Sequence, residues 1–378
     1  MKRQILKLGA NFEIIKWAIK TSGWEIDELL KKLEISKNTY EKWIKGLDKP
    51  TFKQLESISR KTKRPLAIFF LGKIPQEKPA PKDFRLNPKQ KGKFDKKTIF
   101  AIRKARTLQS ILKDFGENNL GETIKELKIT INDSPQKIAL NLRKRFGITE
   151  ELQRKTTDSW KFFRFLREKL GEEKVFNFQL SMLLEDARGF ALSDELPRVI
   201  VVNSGDIIEA RIFTLIHELG HILLGDTEVS IPIPSFADIH KHEKWCNEFA
   251  SSFLLPPEMA KRIFEENDKN LVDYGTLCKL SRKYKVSKSM LLYNMVKLRF
   301  ITPLDYEEIL DKYTKKDYSK TKSGGAGVTA EKKCLNELGV SFVSLVADNI
   351  DKKIITYSDA LDYLSIKSKN FEKLMNKI

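Results

Sequence analysis

Apolar positions recur at helical spacing over most of the chain, and the places where that spacing fails are informative. In the first 75 residues, Ile14 and Ala18, with Trp17 beside them, mark a helix over 11–22 that Gly23 ends. Ile26, Leu29, Leu30 and Leu33 predict the inward face of a second helix over 25–33. Ser36 is placed to cap a third helix that holds Trp43 inside and stops at Gly46. Thr51 is placed to cap a fourth through TFKQLESISRKTK, and Pro65 opens the apolar segment PLAIFFLG. The Pro- and Lys-rich stretch 73–97 breaks the pattern and reads as an extended connector. Helical spacing resumes over 98–114, 134–146 and 158–169.

Between 186 and 225 the period changes. GFAL (189–192) and RVIVVN (198–203) are short β-prone runs separated by SDELP, which predicts a hairpin or neighbouring strands. IEARIFTLIHELGHILL (208–224) returns to the helical period. Residues 273–314 read as helix, short turn, helix, with Ser287 as a cap. Residues 315–328 read as a flexible joint, and the tail as a helix over 329–338, a β-prone FVSLV run and a helix over 357–365. The expected class is α+β. An all-helical N-terminal domain (1–75) and a linker (76–97) precede a core with a small sheet (98–265). A second helical unit (266–314), a flexible linker (315–328) and a small C-terminal domain (329–378) complete the expected order.

Composition narrows the function classes. The 23 Phe and five Trp need cores to bury them, which argues against long disorder. No stretch reaches about 18 apolar residues, so no membrane span is expected. Three cysteines cannot build a dense disulfide framework, which points to a reducing, cytoplasmic compartment. The net charge of +19 is uneven: the first hundred residues hold 25 Lys or Arg against 11 Asp or Glu. That asymmetry favours a polyanion such as DNA as partner of the N-terminal helices. If the second and third helices form a helix-turn-helix, Lys37, Asn38, Thr39, Lys42 and Lys45 are exposed on the third and suit phosphate and base-edge contacts. A small protein-binding bundle would use the same geometry.

The chemistry concentrates in HELGH. His217 and His221 are four apart, so one helix face presents both imidazoles to a single ion, and Glu218 can share the cleft as a proton acceptor. All four histidines (217, 221, 240 and 242) lie within 26 residues. Two imidazoles and one carboxylate around zinc would leave a position for water, whose proton Glu218 takes as it attacks a carbonyl. The third ligand is open to several readings. Position 227 is threonine, which rules out a third histidine at the metzincin spacing. Glu243 and Asn247 share a helix face, which favours Glu243 as ligand with Asn247 hydrogen-bonding a ligating histidine. Glu248 is the rival, on the other side of that helix. His240 and His242 are further candidates, as ligands or as contacts to substrate or transition state. Cys246 reads as buried packing.

Two resemblances attach to these residues. The stretch from SGWEIDELLKKLEISKNTYEKWIKG to RPLAIFFLG resembles an Xre/Cro-type helix-turn-helix, in the form fused to ImmA/IrrE-type metallopeptidases. GFAL, PRVIVVN, FTLIHELGHILLG and EKWCNEFASSFLLP stand in the order found in that peptidase family. The resemblance implies a gluzincin-like site in which His217, His221 and Glu243 bind Zn2+ and Glu218 is the base. It also implies a regulatory protease acting on a helix-turn-helix repressor or antitoxin, DNA binding by the N-terminus, and a homodimer reading two half-sites. The competing expectation is a non-catalytic DNA-binding transcriptional regulator, or an antitoxin-like protein, that keeps the metal-binding fold without turnover.

Overall fold

The computed structural model describes residues 9–77, 81–83, 94–117, 124, 127, 129–225, 228–230, 241–318 and 328–378. The chain divides into two compact units: Met1–Ala80 with Lys89–Lys104, and Pro81–Pro88 with Ala105–Ile378.

The first unit holds α1 (Phe12–Lys20), α2 (Ile26–Leu33), α3 (Lys37–Ile44), α4 (Phe52–Thr62) and a 3-10 turn at Leu66–Phe70. Its helix starts follow the polar residues at their ends. Ser36 Oγ accepts from the Thr39 amide, and Thr51 with Gln54 closes a reciprocal capping box. Ile14, Ile15, Ala18, Leu29, Trp43, Leu55, Ile58 and Phe69 form the core. Ile26 departs from expectation: it is 43% exposed. It is the first helical residue of α2, where a side chain leans back past the start of the helix. Arg64 fixes the later segment, with both terminal nitrogens on the Glu77 carboxylate at 2.6 and 3.0 Å and its guanidinium 3.7 Å from the Trp17 ring centroid.

The second unit is built around a five-stranded sheet of β1 (Lys82–Asp83), β2 (Val175–Leu180), β3 (Gly189–Leu192), β4 (Arg198–Asn203) and β5 (Glu228–Ser230) in the order β1-β5-β3-β4-β2. The expected GFAL–RVIVVN pairing is antiparallel, Gly189 opposite Val202 and Leu192 opposite Val199. β2 runs parallel to β4 and is buried along its whole length.

The helices of this unit are α5 (Lys96–Asp114, which begins in the first), α6 (Pro135–Arg145), α7 (Glu150–Lys155), α8 (Ser159–Glu172), α9 (Ile208–Leu224) and α10 (Lys241–Leu254). After them come α11 (Pro257–Glu265), α12 (Tyr274–Tyr284), α13 (Lys288–Lys297), α14 (Pro303–Tyr318), α15 (Ala330–Leu338), α16 (Val340–Asp351), α17 (Tyr357–Leu364) and α18 (Ser368–Met375). Helix α9 lies on β3 and β4 and is clasped from the other side by α10, which also packs on α6. Its residues 212–223 are all buried, as expected of a helix apolar around its circumference. Arg198 Nη1 donates to the Ile222 carbonyl at 2.8 Å and ties the sheet to the end of that helix.

Two tail and connector expectations are revised. The FVSLV run is helical, inside α16. Phe342, Val343 and Val346 recur at helix spacing and are all buried, so packing on one face overrides their strand preference. The joint expected over 315–328 is helical at its start, because α14 continues to Tyr318, and residues 319–327 lie outside the described set. The helix, turn and helix expected over 273–314 begin with α12 and α13, with Ser287 as the cap, and Met290, Leu291, Leu292, Tyr293, Asn294 and Met295 of α13 are all buried. That helix is a core element.

Candidate metal centre

Helix α9 carries the HELGH residues and ends at Gly225, whose φ of +80° suits a left-handed cap. His217, Glu218 and His221 are fully buried on it. The imidazoles turn their Nε2 atoms toward each other, 3.2 Å apart. Glu243, in the first turn of α10 and 8% exposed, completes the group. Its Oε2 lies 3.4 Å from His217 Nε2 and its Oε1 3.3 Å from His221 Nε2.

These distances decide what the cluster fits. Tetrahedral zinc with ligand bonds of about 2.0–2.1 Å separates its ligand atoms by about 3.3–3.4 Å. The two nitrogens and the carboxylate oxygens already stand at that spacing. Glu243 Oε1 is buried and makes no hydrogen bond. Lone pairs from three side chains therefore converge on one point that a cation would satisfy, and the donor set of two imidazoles and a carboxylate is a zinc set.

Electrostatics agree in part. Burial holds His217 below the ordinary imidazole pKa, which suits a neutral ligand. Burial alone would raise Glu243, but His217 and His221 beside it hold its carboxyl well below the usual range. Burial also opposes charge on His221, yet Cys246 and Glu243 raise it well above the usual value, so a proton competes with the cation there. Burial pushes the Cys246 thiol itself up to about 11.

The close fit of α9 on α10 depends on a glycine the sequence did not single out. A Cβ at Gly220 would lie 2.9 Å from Cys246 Sγ and 3.2 and 3.3 Å from Cys246 Cβ and Cα. Gly189 does the same on the sheet side. A Cβ there would meet Thr214 Cγ2 at 2.4 Å, the Val201 carbonyl oxygen at 2.8 Å and Glu218 Oε1 at 3.1 Å. Glu218 is thus held against β3, where no side chain intervenes. Only the partner residue across each contact identifies these two glycines.

The remaining sequence candidates separate clearly. Asn247 is buried one turn after Glu243, and its Oδ1 makes no hydrogen bond. Glu248 points elsewhere. Its Oε1 accepts from Gln136 Nε2 at 2.6 Å and pairs with Lys297 Nζ, linking α10 to α6 and α13. Its side chain has no place at the imidazoles. His242 is half-buried on α10, and His240 lies outside the described residues. Cys246, Phe249, Ala250, Phe253 and Leu254 are fully buried. On α3, Lys37, Asn38, Lys42 and Lys45 are exposed. Thr39 is half-buried, with its hydroxyl 2.8 Å from Ser36 Oγ, and Lys37 Nζ lies 3.7 Å from the Asp27 carboxylate.

Residues 172–296 match the family model of the IrrE N-terminal-like domain, Peptidase_M78. No curated protein and no solved structure matches the chain. The matched span contains β2 to β5, α9, α10 and all but the last residue of α13. Among the described residues, no helix is long and apolar enough to cross a membrane. An IrrE-like peptidase domain is therefore present over residues 172–296, and its His-His-Glu cluster supports the active site of a zinc-dependent metalloendopeptidase.

Proposed function

We propose that the chain is a zinc endopeptidase that cleaves a transcriptional repressor or antitoxin and engages DNA through its N-terminal helical unit. The observation that carries the catalytic part is the convergence of His217, His221 and Glu243 at zinc spacing beside a buried Glu218. Zinc held there supplies Lewis acidity, acidifying water and polarising a peptide carbonyl. Glu218 takes the proton from the attacking water at a carboxylate oxygen and returns it to the leaving amine. Gly189 leaves that carboxylate room against the sheet, and Asn247 lies buried one turn after Glu243 on the ligand helix. The apolar residues Leu215, Ile216, Leu219, Ile222 and Leu223 around the trio limit bulk water.

The DNA-binding part rests on the charge excess of the first hundred residues and on α2 and α3. Glu34, with φ of +56°, turns the chain between them, and α3 then presents Lys37, Asn38, Lys42 and Lys45 to solvent. A helix-turn-helix repressor or antitoxin as substrate follows from the family resemblance and from this pairing of a DNA reader with a protease. The deciding experiment uses Glu218→Gln. The variant retains stoichiometric zinc and loses cleavage of a helix-turn-helix repressor or antitoxin that the parent protein cuts. Cleavage at the parent rate by the zinc-loaded variant refutes the mechanism.

A further inference from the structure

Away from the metal centre, a cavity of about 460 Å³ opens between α8, β2, α15 and α16, wholly within the second unit. That volume lies in the range of small-molecule sites. Trp160, Phe163, Phe176, Leu335 and Phe342 supply apolar wall, and none of the three metal-site residues lines it.

Its charge is unbalanced. Arg167 is 6% exposed, and its three hydrogen bonds all go to neutral oxygens. Nε donates to Asn177 Oδ1 at 2.5 Å, Nη2 to the Asn177 carbonyl at 2.9 Å and Nη1 to the Asn336 carbonyl at 2.8 Å. Burial lowers its pKa to about 10, so it remains a cation at neutral pH. A guanidinium has five N–H donors, and these bonds use three of them. Arg164, Lys332 and Lys377 add positive charge to the lining, and Glu168 is the one acid in it. Lys377 is engaged by Glu331 at 2.9 Å, whereas Arg164 is exposed at the rim.

A recess with aromatic walls and more cations than acids in its lining suits an anion with an apolar body. The planar fork of arginine matches a carboxylate best. We propose that this cavity is a binding site for a small organic carboxylate with an aromatic or branched apolar body, its anionic end toward Arg167 and Arg164.

The position gives such a ligand access to the peptidase. Gln179, on the cavity wall, donates from Nε2 to the Asn336 carbonyl at 2.6 Å. Its Oε1 accepts from Arg211 Nη1 at 2.9 Å, in the first turns of the metal-bearing helix α9. The Arg211 guanidinium in turn lies 5.0 Å from the ring centroid of Trp160, another wall residue.

The test titrates the full-length protein with indole-3-acetate, 4-methylpentanoate and the neutral indole-3-acetamide, followed by calorimetry and tryptophan fluorescence. At least one acid saturates at one molecule per chain, and the amide binds about tenfold more weakly or worse, the loss of a charge-assisted contact. Arg164→Ala, a change at an exposed rim position, weakens acid binding several-fold. Leu335→Trp, which fills the recess, removes it while the circular dichroism spectrum stays that of the parent. Failure of both acids to saturate by millimolar concentration overturns the proposal. So does equal affinity for acid and amide, or undiminished binding by a folded Leu335→Trp protein. None of these outcomes depends on peptidase activity.

Discussion

Gly220 offers the sharpest test of how the metal site is assembled. An interior helical glycine costs roughly 1 kcal/mol relative to alanine, so Gly220→Ala in an unconstrained helix would stabilise the fold. Here the added methyl would lie 2.9 Å from Cys246 Sγ and 3.2 and 3.3 Å from Cys246 Cβ and Cα. Ordinary carbon contacts sit at about 3.5–4.0 Å. The sulfur can rotate, but Cα and Cβ move only with α10, so the helices must part by several tenths of an ångström. Overpacking of this kind costs about 1–3 kcal/mol. Set against the gain in propensity, the apoprotein loses about 0–2 kcal/mol. The effect on zinc is larger in proportion. Cys246 is three residues after Glu243 on the same helix, and ligand distances tolerate only about 0.2 Å. A shift that relieves Cys246 therefore carries the carboxylate away from His217 and His221. Zinc affinity falls at least about tenfold, or ~1.4 kcal/mol. Competition against a chromogenic chelator measures the affinity, and thermal unfolding with and without zinc separates it from fold stability. The zinc-dependent rise in Tm should shrink more than the apoprotein Tm. If the variant binds zinc within twofold of the parent and melts higher, the reasoning is wrong. Adding Cys246→Ala relieves only the sulfur contact, so recovery is partial.

Two further outcomes follow from residues outside the cluster. Glu248→Ala should leave zinc affinity within about twofold and cost about 1–2 kcal/mol in denaturant unfolding, because it removes the half-buried bridge to Gln136 and Lys297; a large loss of zinc would restore Glu248 as a ligand. Full-length protein binding a short duplex should weaken steeply with salt, and Lys37→Ala with Lys42→Ala and Lys45→Ala should reduce the log–log slope by about two to three. An unchanged slope removes those lysines from the DNA surface.

The site was legible in the sequence to the extent that it is local. His217 and His221 declare themselves by four-residue spacing, and Glu243 by sharing a face with Asn247 before a run of buried aromatics. The structure puts these donors together through the approach of α9 to α10, which Gly220 permits. In the sequence, that glycine reads only as a weak helix former, because its reason lies 26 positions away at Cys246. Strands β3 and β4 were visible because SDELP punctuates them. β2 was not, since VFNFQL is buried at every position and gives no alternation to detect. FVSLV erred in the opposite sense, its β-branched residues outweighing a helical spacing that only packing makes decisive. The carboxylate cavity was out of reach altogether, because its wall runs from Trp160 to Lys377.

The place of β2 at one end of the strand order has a consequence for the whole chain's solubility. Helix α15 packs on that strand, and Phe178 meets Phe342 of α16 edge-on with centroids 5.5 Å apart. A protein cut after Tyr318 that sheds its last sixty residues would uncover this aromatic contact and leave the Arg167 guanidinium without its Asn336 acceptor. The bared strand would then be a template for pairing with other molecules. Clipping there is expected to yield a self-associating fragment, because it bares apolar surface on a strand at one end of the sheet.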